Sequence, residues 1–126
     1  MLAQNRMVSF LSTTDAERAR AFYEGVLGLT FTGDHGPVVT FEGSSGRLML
    51  QKTDVVTPPH GTALGWVVSD IRAAIQKLST RGVVFERFHD MDQDDLGVWS
   101  PAPGSGVAWF KDPDGNLLSL SQSAEG

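Results

Sequence analysis

No cysteine occurs among these 126 residues, which excludes disulfides, thiolate metal centres and cysteine nucleophiles. Positive charge is scarce too. Ten Lys and Arg stand against fifteen Asp and Glu, for a formal net charge of −5 and a pI near 5.0. A chain without a basic patch has little with which to grip phosphates, so nucleic acid is not an expected partner. Long apolar runs are missing, so nothing approaches a membrane-spanning length, and no membrane partner is expected. The start, MLAQNRMVSF, lacks the charged end and apolar stretch of a targeting leader. A cytoplasmic address is the resulting expectation. What remains, 40% hydrophobic and 20% charged, is the composition of a soluble globular chain, long enough for one domain with its own core.

The most informative feature present is a repeat. FLSTTDAERARAFYEGVLGLTF (10–31) and LGWVVSDIRAAIQKLSTRGVVF (64–85) share one grammar: an apolar strand, an Asp, an amphipathic helix, a Gly and another apolar strand. Asp15 and Asp70 lie 55 residues apart, whereas Gly28 and Gly82, like Phe31 and Phe85, lie 54 apart. One residue is therefore lost in the second copy, inside the helix or at its exit. A repeat of this period marks two copies of one supersecondary unit, and the seam between two such units is a natural place for a cleft.

The local signals are consistent with that grammar. Asp15 is suited to cap a helix, and Glu17 adds favourable charge to the first turn. Ala19, Phe22, Tyr23, Val26 and Leu27 then form one apolar stripe by the i, i+3, i+4 rule, and Gly28 ends the helix. Leu29–Phe31, Val38–Phe41 and Leu48–Leu50 read as strands after the opening strand at Val8–Leu11. The stretch TDVVTPPHGT is the join, with residues 54–61 as linker, because Pro58-Pro59 prevents regular pairing. In the second copy Ala63–Val68 is a strand. Asp70 caps a helix with Ile71, Ala74, Ile75 and Leu78 inward, and Gly82 closes it. Val83–Phe88, Val107–Phe110 and Leu117–Leu120 are the remaining strands, the last two joined by the turn Asp112-Pro113-Asp114-Gly115. The expected order is βαβββ twice over, with module one at about 6–53 and module two at about 62–122.

DAERARAFYEGVLGL, followed later by FKDPDGNLLSLSQ, resembles the vicinal oxygen chelate superfamily of glyoxalase-type enzymes, bleomycin-resistance binders and extradiol dioxygenases. The resemblance covers nearly the whole chain. It implies an α+β fold, two βαβββ modules forming a glyoxalase/bleomycin-resistance-type roll around a central cavity, and a homodimer. It also implies four cavity-facing ligand positions for a metal ion, on the first and last strand of each module. Carried over by motif, these fall at Val8, Met49, Ala63 and Ser119, with Leu50 in place of Met49 if the register slips by one. The chain departs from the family pattern here. Divalent ions of this kind take nitrogen or charged oxygen donors, and these four side chains supply none. No metal and no cofactor are therefore expected.

Other constellations give bland readings. His35, His60 and His89 fall in turns or loops, and only His60, three residues before Ala63, is placed to act as a displaced ligand. No serine has a nucleophile-elbow context. The run Asp90-Met91-Asp92-Gln93-Asp94-Asp95 starts like a calcium loop but has Asp95 where Gly belongs and Pro101 where Glu belongs. Residues 89–105 are long for a connector without structure of its own, which suggests a flap over the cavity. Tyr23, Phe22 and Trp66 read as core.

Strand alternation puts Phe10 and Ser12 on the side of Val8. Trp99 and Trp109 flank the long loop and offer aromatic walls, with Gln51, Ser119 and Ser121 as neutral hydrogen-bonding groups; such a mixture suits a planar small molecule. The expected function is a metal-independent binder of a partly aromatic ligand, lined by Val8, Phe10, Ser12, Met49, Gln51, Ala63, Trp99 and Ser119, with no residue assigned to catalysis. One alternative is a glyoxalase-like lyase or isomerase with a displaced metal site. A second is a non-catalytic module that docks another protein.

Overall fold

In the computed structural model, residues 1–124 are described. The chain divides into two compact units. The first is Met1–Pro58 with Pro113–Gly115, and the second is Pro59–Asp112 with Asn116 onward.

In the first unit, β1 (Met7–Thr13) leads to α1 (Ala16–Arg20), which continues as one π-helical turn over Ala21–Val26. β2 (Thr30–Asp34), β3 (Val38–Glu42) and β4 (Gly46–Lys52) follow, and the sheet order is β1-β4-β3-β2. β1 runs parallel to β4, and the other pairs are antiparallel. Asp15 caps α1 as its sequence context requires, its carboxylate accepting the Arg18 amide at 3.1 Å. The π turn adds one residue per hydrogen-bonded ring compared with an α-helix; here the Leu27 N–H reaches the Phe22 carbonyl. The extra residue between Asp15 and Gly28, compared with Asp70 to Gly82, is absorbed there. Gly28 follows at φ +81°, a conformation that favours glycine.

One face of this sheet is the core. Leu11, Leu48, Leu50, Val39 and Phe41 are buried, together with Ala19 and Tyr23 of the helix. Tyr23 and Phe41 lie with ring centroids 5.7 Å apart, and Phe41 meets Phe31 edge-on at 5.6 Å. Burying each large side chain contributes about 1.5–3 kcal/mol. Thr13, also buried, sits where residues 113–115 complete the unit. Its hydroxyl donates to Asp114 at 2.5 Å, and the Thr14 amide, Thr14 hydroxyl and Arg18 guanidinium all donate to the same carboxylate. Burial pushes the Asp114 carboxyl up, but these donors outweigh it and hold its pKa below the ordinary value.

In the second unit, β5 (Leu64–Val67), α2 (Ile71–Thr80), β6 (Gly106–Lys111) and β7 (Leu117–Gln122) form a three-stranded sheet of order β5-β7-β6 beside one helix. Asp70 caps α2 through the Ala73 amide at 3.1 Å. Ile71, Ile75, Val98, Ala108, Phe110, Leu118 and Leu120 are buried. Trp66, paired with Leu120, is half-buried on that side.

The second unit departs from the expected βαβββ order. Val83–Phe88 is not a strand: it keeps one bridge, Phe85 to Phe110, and one bond from the Glu86 amide to the Trp109 carbonyl. The Gln93 side chain takes over the neighbouring backbone groups. It accepts from the Phe88 amide at 2.7 Å and donates to the carbonyls of Glu86 and Gly97. A backbone group bound to a side chain is not available to a ladder. The 89–105 stretch differs from expectation as well, since Gln93 and Val107 both bridge Trp99 and Val98 is buried.

Candidate functional site

Alternation along β1 and β4 separates two faces of the first sheet. Leu11, Thr13, Leu48 and Leu50 go to the core. Val8, Phe10 and Ser12 lie on the opposite, open face, and the register places Arg47, Met49 and Gln51 directly beside them. Five of the eight expected lining residues therefore share one face: Val8, Phe10, Ser12, Met49 and Gln51. Val8 and Phe10 are 48% and 56% exposed, which is unusual for apolar side chains at mid-strand.

The open face has a polar margin outside the expected lining residues. Glu42 accepts from Arg47 and from Arg6, each at 2.6 Å, and these bonds hold its carboxyl below the ordinary range. Arg47 shares the parity of Met49, so alternation alone was enough to find it. Buried Thr40 lies 2.7 Å from the Thr32 hydroxyl and 3.3 Å from His35 Nε2. Thr32 and His35 belong to β2 and its turn.

The remaining three expected residues are in the second unit. Ala63 precedes β5, its amide bonded to the Leu117 carbonyl. Ser119 on β7 pairs with Gly65 on one side and Trp109 on the other. A side chain at Gly65 would collide with the Ser119 hydroxyl, so the glycine is what leaves room for it. Trp99 exchanges both backbone hydrogen bonds with Val107 at 2.9 Å. Its ring stacks on Trp109, centroids 6.3 Å apart and planes at 30°. Phe88 meets Trp109 edge-on at 5.5 Å, and the Trp109 indole N–H donates to Thr62 at 3.0 Å. Phe88 and Thr62 are not among the expected lining residues, and Trp109 is expected only as an aromatic wall beside the long loop. Phe88 is expected in a strand that does not form, and no local signal at the end of the join marks Thr62.

The loop bearing Trp99 is tied down. The Asp94 carboxylate accepts the amides of Leu96 and Val98 at 2.9 Å and pairs with Arg72 of α2. Burial raises the Asp94 pKa, but the Val98 and Leu96 amides and Arg72 prevail and hold it below its ordinary value. Asp94 with a Gly three residues on is a turn signature; the Gly97 amide bonds the Asp94 carbonyl at 3.0 Å, and Gly97 adopts φ +88°.

The four positions that the fold would assign to a metal do not fit one. Val8 and Ala63 have no donor atom, Met49 offers a thioether and Ser119 a neutral hydroxyl. Hard and borderline divalent ions take carboxylate or imidazole. Among the described residues no group of three or more His, Asp or Glu could hold a metal ion. His60 is exposed and His89 is paired with exposed Asp90. No helix among the described residues is long and apolar enough to cross a membrane.

A search of curated proteins finds no match. Solved structures match well in fold. A glyoxalase/bleomycin resistance protein/dioxygenase from Nocardioides has a TM-score of 0.70 at 21% identity, over 95% of this chain and 83% of its own. TnmS3, an antibiotic binding protein from Streptomyces sp. CB03234, has a TM-score of 0.69 at 24% identity, over 94% of both chains. A lactoylglutathione lyase from Agrobacterium tumefaciens has a TM-score of 0.66 at 20% identity, over 93% of this chain and 92% of its own. At these identities the likeness shows the fold, which hosts both binding and catalysis. The family model of the Glyoxalase/Bleomycin resistance protein/Dioxygenase superfamily matches residues 4–120, and the chain belongs to that superfamily.

Proposed function

We propose that this protein binds a small, partly aromatic molecule on its open sheet faces, without a metal ion and without changing it chemically. The observation that supports this most is the aromatic cluster of Phe88, Trp99 and Trp109. It lies on the sheet face that also carries the neutral hydroxyl of Ser119. Aromatic surface with a few neutral polar groups suits a planar ligand. Val8, Phe10, Ser12, Met49 and Gln51 give the first sheet a comparable mixture, and Ala63 lies at the edge of the second. The donor set at Val8, Met49, Ala63 and Ser119 argues against the Lewis-acid chemistry that a metal would supply. The existence of an antibiotic binding protein with this fold is in keeping with a binder. A homodimer in the cytoplasm is part of the proposal.

The test combines elemental analysis of protein purified without chelator or metal-affinity tag with calorimetry against a panel of planar aromatic antibiotics and metabolites. Saturable binding that survives EDTA, with the compound recovered unchanged, is the expected result. Near-stoichiometric zinc, nickel, manganese or iron, or conversion of the bound compound, would overturn it in favour of a lyase or isomerase.

A further inference from the structure

Trp99 lies in a segment without a regular strand of its own, yet its ring is held near-parallel to Trp109. Its backbone pairs with Val107 on one side, and Gln93 bridges it on the other. That second contact exists only while residues 93–98 stay folded back. Asp94 is the centre of that fold. One carboxylate oxygen accepts two amides, of Leu96 and Val98. The other reaches Arg72 on α2. The Asp94 amide bonds the Val98 carbonyl, and its own carbonyl accepts from the Gly97 amide and the Arg87 guanidinium. Val98 is thereby pressed against Gly106, where a side chain would strike its Cγ1, beside Ile71 of the same helix.

We propose that Asp94 is the positioning residue of the aromatic platform: by folding residues 93–98 and fastening them to Arg72, it sets Trp99 against Trp109 before any ligand arrives. This rests on the reading of that face as a ligand surface. Asp94 does not touch the ligand. It removes the cost of ordering a tryptophan-bearing loop on binding, which is how preorganisation raises affinity.

The test uses the full chain and two readouts. Stacked indoles give an exciton couplet in far-ultraviolet circular dichroism, which reports the Trp99–Trp109 arrangement without ligand. Calorimetry with 2-naphthol, a neutral planar aromatic, reports binding. Asp94→Ala is expected to abolish the couplet and weaken 2-naphthol roughly ten-fold. Asp94→Asn, which keeps an oxygen for the Leu96 and Val98 amides, should retain most of the couplet. Arg72→Met should fall between the two. Asp70→Ala, which removes a helix cap instead, should leave the couplet intact and serves as control for general destabilisation. If Asp94→Ala does not fold, Arg72→Met decides: a reduced couplet with cooperative melting supports the proposal. An unchanged couplet in every foldable variant overturns it. Loss of the couplet in the variants, with no 2-naphthol binding by the wild type, would sink the ligand reading while leaving the positioning of Trp99 in place.

Discussion

The two units begin from one repeated segment and end differently. In the first, the strand after the helix is complete and joins a four-stranded sheet. In the second, the corresponding segment Val83–Phe88 keeps a single bridge, and the Gln93 side chain holds the backbone groups that a ladder would have used. The apolar pattern is similar in both. What differs is that the β6 edge and the segment's own backbone are both taken: Trp99 exchanges its hydrogen bonds with Val107, and the Gln93 side chain holds Glu86 and Phe88. The segment that follows bears Trp99, whose ring stacks on Trp109, so the unit with the incomplete strand is the one with the aromatic cluster. Divergence within a repeat is therefore decided as much by polar side chains in loops as by apolar periodicity.

All three tryptophans, Trp66, Trp99 and Trp109, are in the second unit, and the single tyrosine, Tyr23, is in the first. The units can thus be followed separately. The largest expected effect comes from truncating the core of each. Phe41→Ala and Phe110→Ala, both fully buried, should each cost about 3–5 kcal/mol. Urea unfolding followed by indole fluorescence and by far-ultraviolet circular dichroism would show whether Phe41→Ala moves only the second signal. Coincident shifts of both would mean that the units unfold as one.

Next in size is Asp114, whose four donors all belong to the first unit. Asp114→Ala should cost about 2 kcal/mol, the range for hydrogen bonds to a charged group. Because the folded carboxyl has a pKa below its unfolded value, its contribution is fully present above the unfolded pKa, near 3.9. It is lost as pH falls through the folded value. Urea midpoints across the acid range should fall less steeply in Asp114→Asn than in the wild type.

Smaller effects test the symmetry of the repeat. Asp15→Ala and Asp70→Ala each remove one capping bond and should lower stability by about 1 kcal/mol. Unequal losses would show that one helix depends on its cap more than the other does. Smallest and of opposite sign, Gly25→Ala in the π turn meets no neighbouring atom and should stabilise the first unit by about 0.5–1 kcal/mol. Melting temperature is sufficient to read it.

Much of the architecture was legible because it rests on local chemistry. Asp15 and Asp70 cap, Gly28 and Gly82 take positive φ, and the Asp112–Gly115 turn joins the last two strands, with Asp112 accepting the backbone and side-chain amides of Asn116. The offset between the Asp and Gly spacings located a one-residue difference inside the helix or at its exit, and the π turn is where the first unit absorbs it. Of the candidate site, what was legible is which residues share a face: strand parity groups Val8, Phe10 and Ser12, and the register sets Met49 and Gln51 beside Phe10 and Ser12. Non-local contacts were not legible. No local pattern announces that Gln93 will outcompete a ladder, that Trp109 will find Thr62, or that Glu42 will gather Arg6 and Arg47.

The bond between Thr13 and Asp114 spans 101 residues, which has a consequence for the order of folding. On a ribosome, β1 and α1 emerge about a hundred residues before the carboxylate that accepts from Thr13, Thr14 and Arg18. Until then the Thr13 hydroxyl has only the Asp15 carbonyl two residues on, at 3.1 Å, in place of the shorter bond to a charged oxygen. Closing so long a loop is slow compared with forming the local elements, although its entropic cost grows only with the logarithm of its length. Residues 1–58 are therefore expected to hold their structure loosely until residues 113–115 have been made, and a fragment ending at Pro58 to be less stable than the same residues with 113–115 in place.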